Sequence, residues 1–237
     1  MHRRDQRLSE QPLTDRLTRA LEALTSVYGP RPHPRRGMEE VGALVATILS
    51  QSTTDANANR GYRSLRRVLP TWDAVADAPV QTIERAIRCS GLSRQKAPRI
   101  RAILRQIRDE RGRVSLRFLR RMPPAEAMAY LCRFPGVGPK TAACVLLFAC
   151  RMPLFPVDTH VHRIALRTGW LPPRTPATAA QEQLEATLRP EQRYPMHVLL
   201  LEHGKRVCRP QQPRCASCCL RDDCRFGQLS RPAPRTA

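Results

Sequence analysis

The sequence predicts an all-α fold, and three observations carry the prediction. Apolar residues recur every three or four positions along most of the chain, and no stretch alternates with the period of two that a half-buried strand needs. A glycine-rich turn, Phe134-Pro135-Gly136-Val137-Gly138-Pro139-Lys140-Thr141, breaks one helical pattern and starts another. No internal repeat suggests a solenoid.

The elements follow in order. Thr14 is expected to cap a helix through Tyr28, with Leu17, Ala20, Leu21, Leu24 and Val27 as its apolar stripe. The two prolines and the glycine of residues 31–37 end it. Glu39 to Gln51 reads as a core-facing helix closed by Gln51-Ser52-Thr53-Thr54-Asp55, a polar cluster that cap chemistry explains as well as a substrate pocket does. Helices are expected over Ala56–Val68 and Val80–Arg88, before a turn from Cys89 to Arg94. From Ala97 onward, Ile100, Ile103, Leu104 and Ile107 form a core stripe, with Arg101, Arg105 and Arg108 on the other side. Such charge runs are usually solvated faces, but the scarcity of acids between Arg94 and Arg133 favours a surface that meets phosphates. Pro124–Leu131 and Thr141–Phe148 flank the glycine turn. Asp158 reads as the cap of a further helix, and Gln181–Leu188 and His197–Gly204 complete the set.

Composition narrows the function classes. A formal net charge of +21 and a pI near 11.1 point to a polyanion, with nucleic acid ahead of an acidic membrane surface or protein. No apolar stretch approaches the roughly 20 residues of a spanning helix, and the start of the chain does not resemble a signal peptide. Nine cysteines without secretion imply reduced thiols or metal ligation, hence a cytoplasmic setting.

Three groups of residues carry chemistry. Lys140 is one of only three lysines, with Lys96 and Lys205, among 41 basic residues. A chain that writes arginine almost everywhere keeps a lysine most tellingly where an amine must attack carbon, which arginine cannot do. Gly136 and Gly138 allow left-handed dihedrals and close approach to the turn's N–H groups, which suit a DNA phosphate at a helix start. Cys208, Cys215, Cys218 and Cys224, with gaps of six, two and five, fall in one short polar loop. Four such thiolates can close around a metal centre, and spacing alone leaves zinc and a [4Fe-4S] cluster even. Cys219 is an unexplained extra, while Cys89, Cys132, Cys144 and Cys150 read as small core residues. His160 and His162, two apart, make a poor metal pair and read as packing or capping residues.

With these residues assembled, the chain resembles the endonuclease III family of DNA glycosylases. Leu131–Ala142 resembles the family's helix-hairpin-helix, Val157–His160 its Val-Asp-Thr-His segment, and the cysteine gaps its iron-sulfur loop. The resemblance implies a six-helix barrel domain over residues 33–152, an iron-sulfur domain of residues 13–32 and 153–225, a DNA-binding cleft between them, and disordered tails at 1–12 and 226–237. It implies Lys140 as Schiff-base nucleophile, Asp158 as the supporting carboxylate and the four cysteines as ligands of a [4Fe-4S] cluster. Gly91-Leu92 resembles the loop that fills the gap left by a flipped base, and Gly136, Val137, Gly138, Thr141, Leu92, Gln51 and Ser52 become the DNA-contacting set. Where relatives often carry glutamine this chain has Ser52, with Gln51 before it, so pocket contacts differ there. The segment from Val114 to Arg133 also resembles, in part, the plant 5-methylcytosine glycosylases. The expected activity is removal of damaged bases, oxidised pyrimidines foremost, from double-stranded DNA with abasic-site cleavage, by a monomer. Alternatives are a monofunctional mismatch or uracil glycosylase and a non-catalytic iron-sulfur DNA-binding module.

Overall fold

The computed structural model describes residues 11–34 and 37–229, and within them every regular element is helical. In chain order the helices are α1 (Leu13–Tyr28), α2 (Glu40–Ser50), α3 (Asp55–Val68), α4 (Trp72–Asp77), α5 (Val80–Ile87), α6 (Ser93–Arg111), α7 (Pro124–Cys132), α8 (Pro139–Phe148), α9 (Thr159–Thr168), α10 (Ala177–Thr187), α11 (Pro190–Arg206) and α12 (Arg225–Leu229). The chain divides into two compact units, Pro34–Met152 and the remainder. The expected tails lie mostly outside the described residues, but 226–229 belong to α12 rather than to a tail.

In the Pro34–Met152 unit the apolar stripes read from the sequence are buried: Val41, Leu44, Val45, Ile48 and Leu49 of α2 and Ile100, Ile103, Leu104 and Ile107 of α6. Glu39 serves two elements at once. Its carboxylate caps α2 through the Gly42 N–H at 3.1 Å and accepts from the indole N–H of Trp72 at 2.7 Å, so α4 is anchored to the start of α2. Helix α4 was not expected, because six residues are too few to show a 3.6-residue period. Glu40, fully buried, is neutralised by Arg120. Arg108 of the expected phosphate-facing stripe is paired with Asp77 at 2.8 Å, so that member of the stripe is engaged within the fold.

The other unit packs Leu17 and Leu24 of α1 with Val161 and Ile164 of α9, Leu184 of α10, and Met196, Leu199 and Leu200 of α11. Helix α1 begins after Pro12, which has no capping side chain, and Thr14 lies inside the helix, where its hydroxyl accepts no N–H as the expected cap would. The reason is that proline's fixed φ already suits a helix entry. Buried Arg16 donates to the carbonyls of Thr168, Gly169 and Asp223 at 2.8, 2.9 and 3.2 Å. One guanidinium thus satisfies the C-terminal end of α9 and holds the cysteine-bearing segment against it. Among the described residues no helix is long and apolar enough to cross a membrane.

Candidate functional site

The glycine turn joins α7 to α8. Gly136 has φ +75°, the left-handed region, and a Cβ there would overlap the Arg99 guanidinium lying on it. Gly138 is extended at φ −92°, a conformation open to any residue, and faces open space. Val137 is buried and its N–H donates to the Phe134 carbonyl at 3.1 Å, so it closes the turn from inside. Pro139 and Lys140 are the first two residues of α8, which no side chain caps. Proline has no N–H to orphan there, and an uncapped helix start of this kind suits an anion. Lys140 itself is half-buried.

Three residues set this turn in place. Gln51 donates through Nε2 to the Gly136 carbonyl at 3.1 Å and to the Thr141 hydroxyl at 3.3 Å, and Arg99 reaches the Gln51 Oε1 at 3.5 Å. Thr141 is buried. The side chain of Gln51 is therefore committed to the turn. Ser52, by contrast, is exposed at φ +53°. Leu92 is also left-handed, at φ +50°, and its side chain is 49% exposed. Gly91 lies against Ser52 and Thr53, within 3.8 Å of the Ser52 carbonyl for a Cβ placed on it. Two non-glycine residues in a disfavoured backbone region thus sit side by side, one presenting an apolar side chain to solvent, the kind of strain that accompanies functional loops.

Lys96 was singled out only as one of the three lysines, and the structure gives it a task. It is buried to 1% exposure, with Nζ donating to the carbonyls of Leu49 at 2.8 Å and Ser90 at 2.9 Å. Those carbonyls precede Gln51-Ser52 and Gly91-Leu92 by a residue or two. Sequence reasoning passed over Lys96 and Arg99 as site residues; the rarity of lysine was the available signal for the first, and nothing local marked the second.

In the other unit, Asp158 caps α9. Its Oδ1 accepts from the N–H groups of His160 and Val161 at 2.9 and 2.8 Å, while Oδ2 has no hydrogen-bond partner among the described residues. His160 meets Arg163 at 3.1 Å and His162 meets the Thr175 carbonyl at 2.7 Å, both packing roles.

Cys208, Cys215, Cys218 and Cys224 line one small pocket, shared with Arg167 and Phe226. Helix α9 fixes the loop from beneath: Arg163 donates to the carbonyls of Gly204 and Cys208 at 3.0 and 2.8 Å, and Arg167 to those of Arg209 and Pro210 at 2.6 and 2.8 Å. Donors aim at the sulfurs as well. Arg167 Nη1 lies 3.5 Å from Cys208 Sγ and the Gly227 N–H 3.3 Å from Cys224 Sγ, while His203 Nε2 and Cys218 Sγ are 3.4 Å apart, with the imidazole tautomer setting which of them donates. Burial pushes the Cys218 thiol up to about 12 and raises Cys224, so thiolates here need a cation to form. Among the described residues no three Cys, His, Asp or Glu converge on a point that would hold a single ion. Cys219 does not line the cavity and packs against the apolar core. Of the cysteines read as core residues only Cys144 is buried; Cys89, Cys132 and Cys150 are partly exposed, Cys89 in the 3-10 turn Arg88–Ser90 and Cys150 just past the end of α8.

The chain matches the description HhH-GPD superfamily base excision DNA repair protein over residues 45–190. It is 36% identical over 197 residues to the endonuclease III of Thermotoga maritima, which covers 83% of this chain and 87% of that one. It is 42% identical over 165 residues to an Arabidopsis thaliana protein named as a DNA glycosylase, covering 70% of this chain but only 56% of the relative's length. Among solved structures, a non-covalent endonuclease III–DNA complex superposes with a TM-score of 0.79 at 26% identity, over 91% of this chain and 97% of that one.

Proposed function

Since the chain belongs to the HhH-GPD superfamily of base excision DNA repair proteins, with endonuclease III among its relatives, we propose that it is a bifunctional glycosylase and abasic-site lyase acting on damaged bases in double-stranded DNA. The observation that carries this reading is Lys140. In a chain that avoids lysine, an amine stands in the first turn of an uncapped helix, directly after a turn whose open N–H groups can hold a phosphate.

The target base must leave the stack before its glycosidic bond can be reached. Leu92, apolar, exposed and held in a strained conformation, suits insertion into the vacated space. The Lys140 amine attacks C1′ through its nitrogen lone pair; the C1′–N bond breaks and the base departs with the bonding pair, taking a proton from solvent. The amine's lone pair then opens the sugar ring to an imine. That imine acidifies C2′; loss of a C2′ proton expels the 3′ phosphate and cuts the strand. Asp158 is assigned the negative charge that stabilises the developing cation.

The cysteine loop fits a [4Fe-4S] cluster held by Cys208, Cys215, Cys218 and Cys224. Four sulfurs lining one pocket, with N–H groups of Arg167 and Gly227 beside two of them, are compatible with such a cluster, and the resemblance of the cysteine gaps to the endonuclease III iron-sulfur loop favours it over a single zinc ion. Its contribution is structural, since glycosidic cleavage transfers no electrons.

The test is Lys140→Arg with a labelled abasic duplex and borohydride. Wild-type protein should be trapped covalently, whereas the arginine variant should bind the duplex normally and not be trapped. Trapping of the variant at the wild-type rate would show that another amine does the chemistry.

A further inference from the structure

We propose that an arginine-lined groove on the Pro34–Met152 unit binds the phosphate backbone of duplex DNA that continues past the Leu92 loop, a site that rests on the function proposed above. The groove, about 830 Å³ and open to solvent, runs between α3 and the segment formed by α5 and the turn that follows it. Arg60, Arg63 and Arg67 line one wall and Arg85 and Arg88 the other, with no acidic residue in the lining. All five are exposed. None is engaged in an ion pair among the described residues, although the neighbouring Arg94 has found Glu84.

Two features turn this patch into a site for a strand. The α3 arginines are spaced by three and four residues, so they form a single row down one face of the helix. From Arg60 to Arg67 that row extends about 10 Å along the axis, a length over which one strand of B-DNA carries about three phosphates. The groove is also continuous in the chain with the Leu92 loop. Arg88 and Cys89 line it and belong to the 3-10 turn Arg88–Ser90, which runs straight into Gly91-Leu92. DNA engaged by Leu92 therefore passes directly onto the groove. Five like charges gathered without a counter-charge repel one another in the free protein, and a polyanion relieves that repulsion.

The triple variant Arg63→Ser/Arg67→Ser/Arg85→Ser tests the assignment, because none of the three leaves a carboxylate unpaired when removed. Equilibrium binding to an undamaged duplex is measured as a function of salt, with circular dichroism confirming that the helices persist. Each lost phosphate contact lowers the slope of log K against log salt by about 0.9, so a reduction of about 2 to 3 is expected. The corresponding triple Arg→Lys variant should keep the wild-type slope. A Ser variant with the wild-type slope overturns the site, as does a reduction seen with single-stranded DNA and absent with duplex. Borohydride trapping of the wild-type protein is scored separately. Its failure would remove the lyase reading while leaving the slope comparison to judge the groove.

Discussion

Lys96 donates a hydrogen bond of 2.8 Å to the carbonyl of Leu49, 47 residues away in the chain, and a second of 2.9 Å to Ser90. One ammonium thereby ties the end of α2 to the turn before α6, and the two strained residues Ser52 and Leu92 emerge next to that tie. An arginine could not replace it. A planar fork needs partners in its plane and more room than a fully buried site between two carbonyls offers. The scarcity of lysine thus has two physical origins in this chain: compact donation in a core at Lys96, and, as proposed, an amine able to attack carbon at Lys140.

Replacing Lys96 by Met keeps the volume and strips two buried carbonyls of their donor. A loss of about 2 kcal/mol is expected in urea unfolding, together with slower base release as the Ser52 and Leu92 loops loosen. The pH dependence has a definite sign. Burial lowers the Lys96 pKa from its ordinary value of 10.5, so between the lowered value and 10.5 the unfolded chain holds more protons than the folded one. Wild-type stability should therefore rise with pH through that window relative to Lys96→Met, and a flat difference would contradict it.

Leu92 separates stability from function. Its left-handed backbone costs a non-glycine residue about 1 kcal/mol, and its exposed side chain contributes little packing. Leu92→Gly should leave the melting temperature equal or higher while lowering base release from duplex DNA. Release from a substrate whose base is already unstacked should fall much less. Equal losses on both substrates would deny Leu92 a wedge role.

Gly136 is constrained twice, by φ +75° and by the Arg99 side chain resting on it. Gly136→Ala should destabilise by about 1 kcal/mol and push Arg99 off Gln51, weakening duplex affinity. Arg99→Ala combined with Gly136→Ala tests the coupling. If the steric clash is the cause, the double variant should lose less than the sum of the singles, as neighbours in contact do.

What the sequence revealed and what it hid divide along chain distance. The helical stripes, the Asp158 cap and the cysteine gaps are local patterns, set by a period, a short side chain before a helix and a spacing, and were legible, except that Val27, read into the α1 stripe, is 59% exposed at the last turn of the helix. Gln51 on Gly136, 85 residues apart, and Lys96 on Leu49 are products of packing, and no local rule anticipates them. Gln51 read equally well as a cap or a pocket residue until the turn it holds was seen. The Arg60–Arg67 row was hidden for another reason: in a chain this rich in arginine, three more on a helix look like solvated surface until the opposite wall is seen to be arginine as well.

The cysteine loop offers the last test. Residues 207–224 contain only two short 3-10 turns and one buried apolar anchor, Leu220, so the rest of their order depends on α9 arginines and on whatever the four sulfurs hold. If that is [4Fe-4S], aerobically purified protein should be yellow-brown with about four irons per chain. Chelating the iron under reducing conditions should then expose the loop's own arginines, Arg209, Arg214 and Arg221, to trypsin, because the binding free energy is the loop's folding free energy. Helices α9 to α11 should stay folded, since Val161, Leu184 and Leu199 are buried in an apolar core built mainly by the helices, to which the loop adds Leu220 and against which Cys208 and Cys218 pack. His203 refines the expectation. Burial holds its pKa down to about 4, so it is neutral, and with Tyr28 Oη 2.9 Å from Nδ1, it can offer an Nε2 proton to Cys218 Sγ. His203→Phe removes that donor, and iron should leave faster to chelator with the initial iron content little changed. Colourless protein containing one zinc per chain would refute the cluster, and with it the account of the loop.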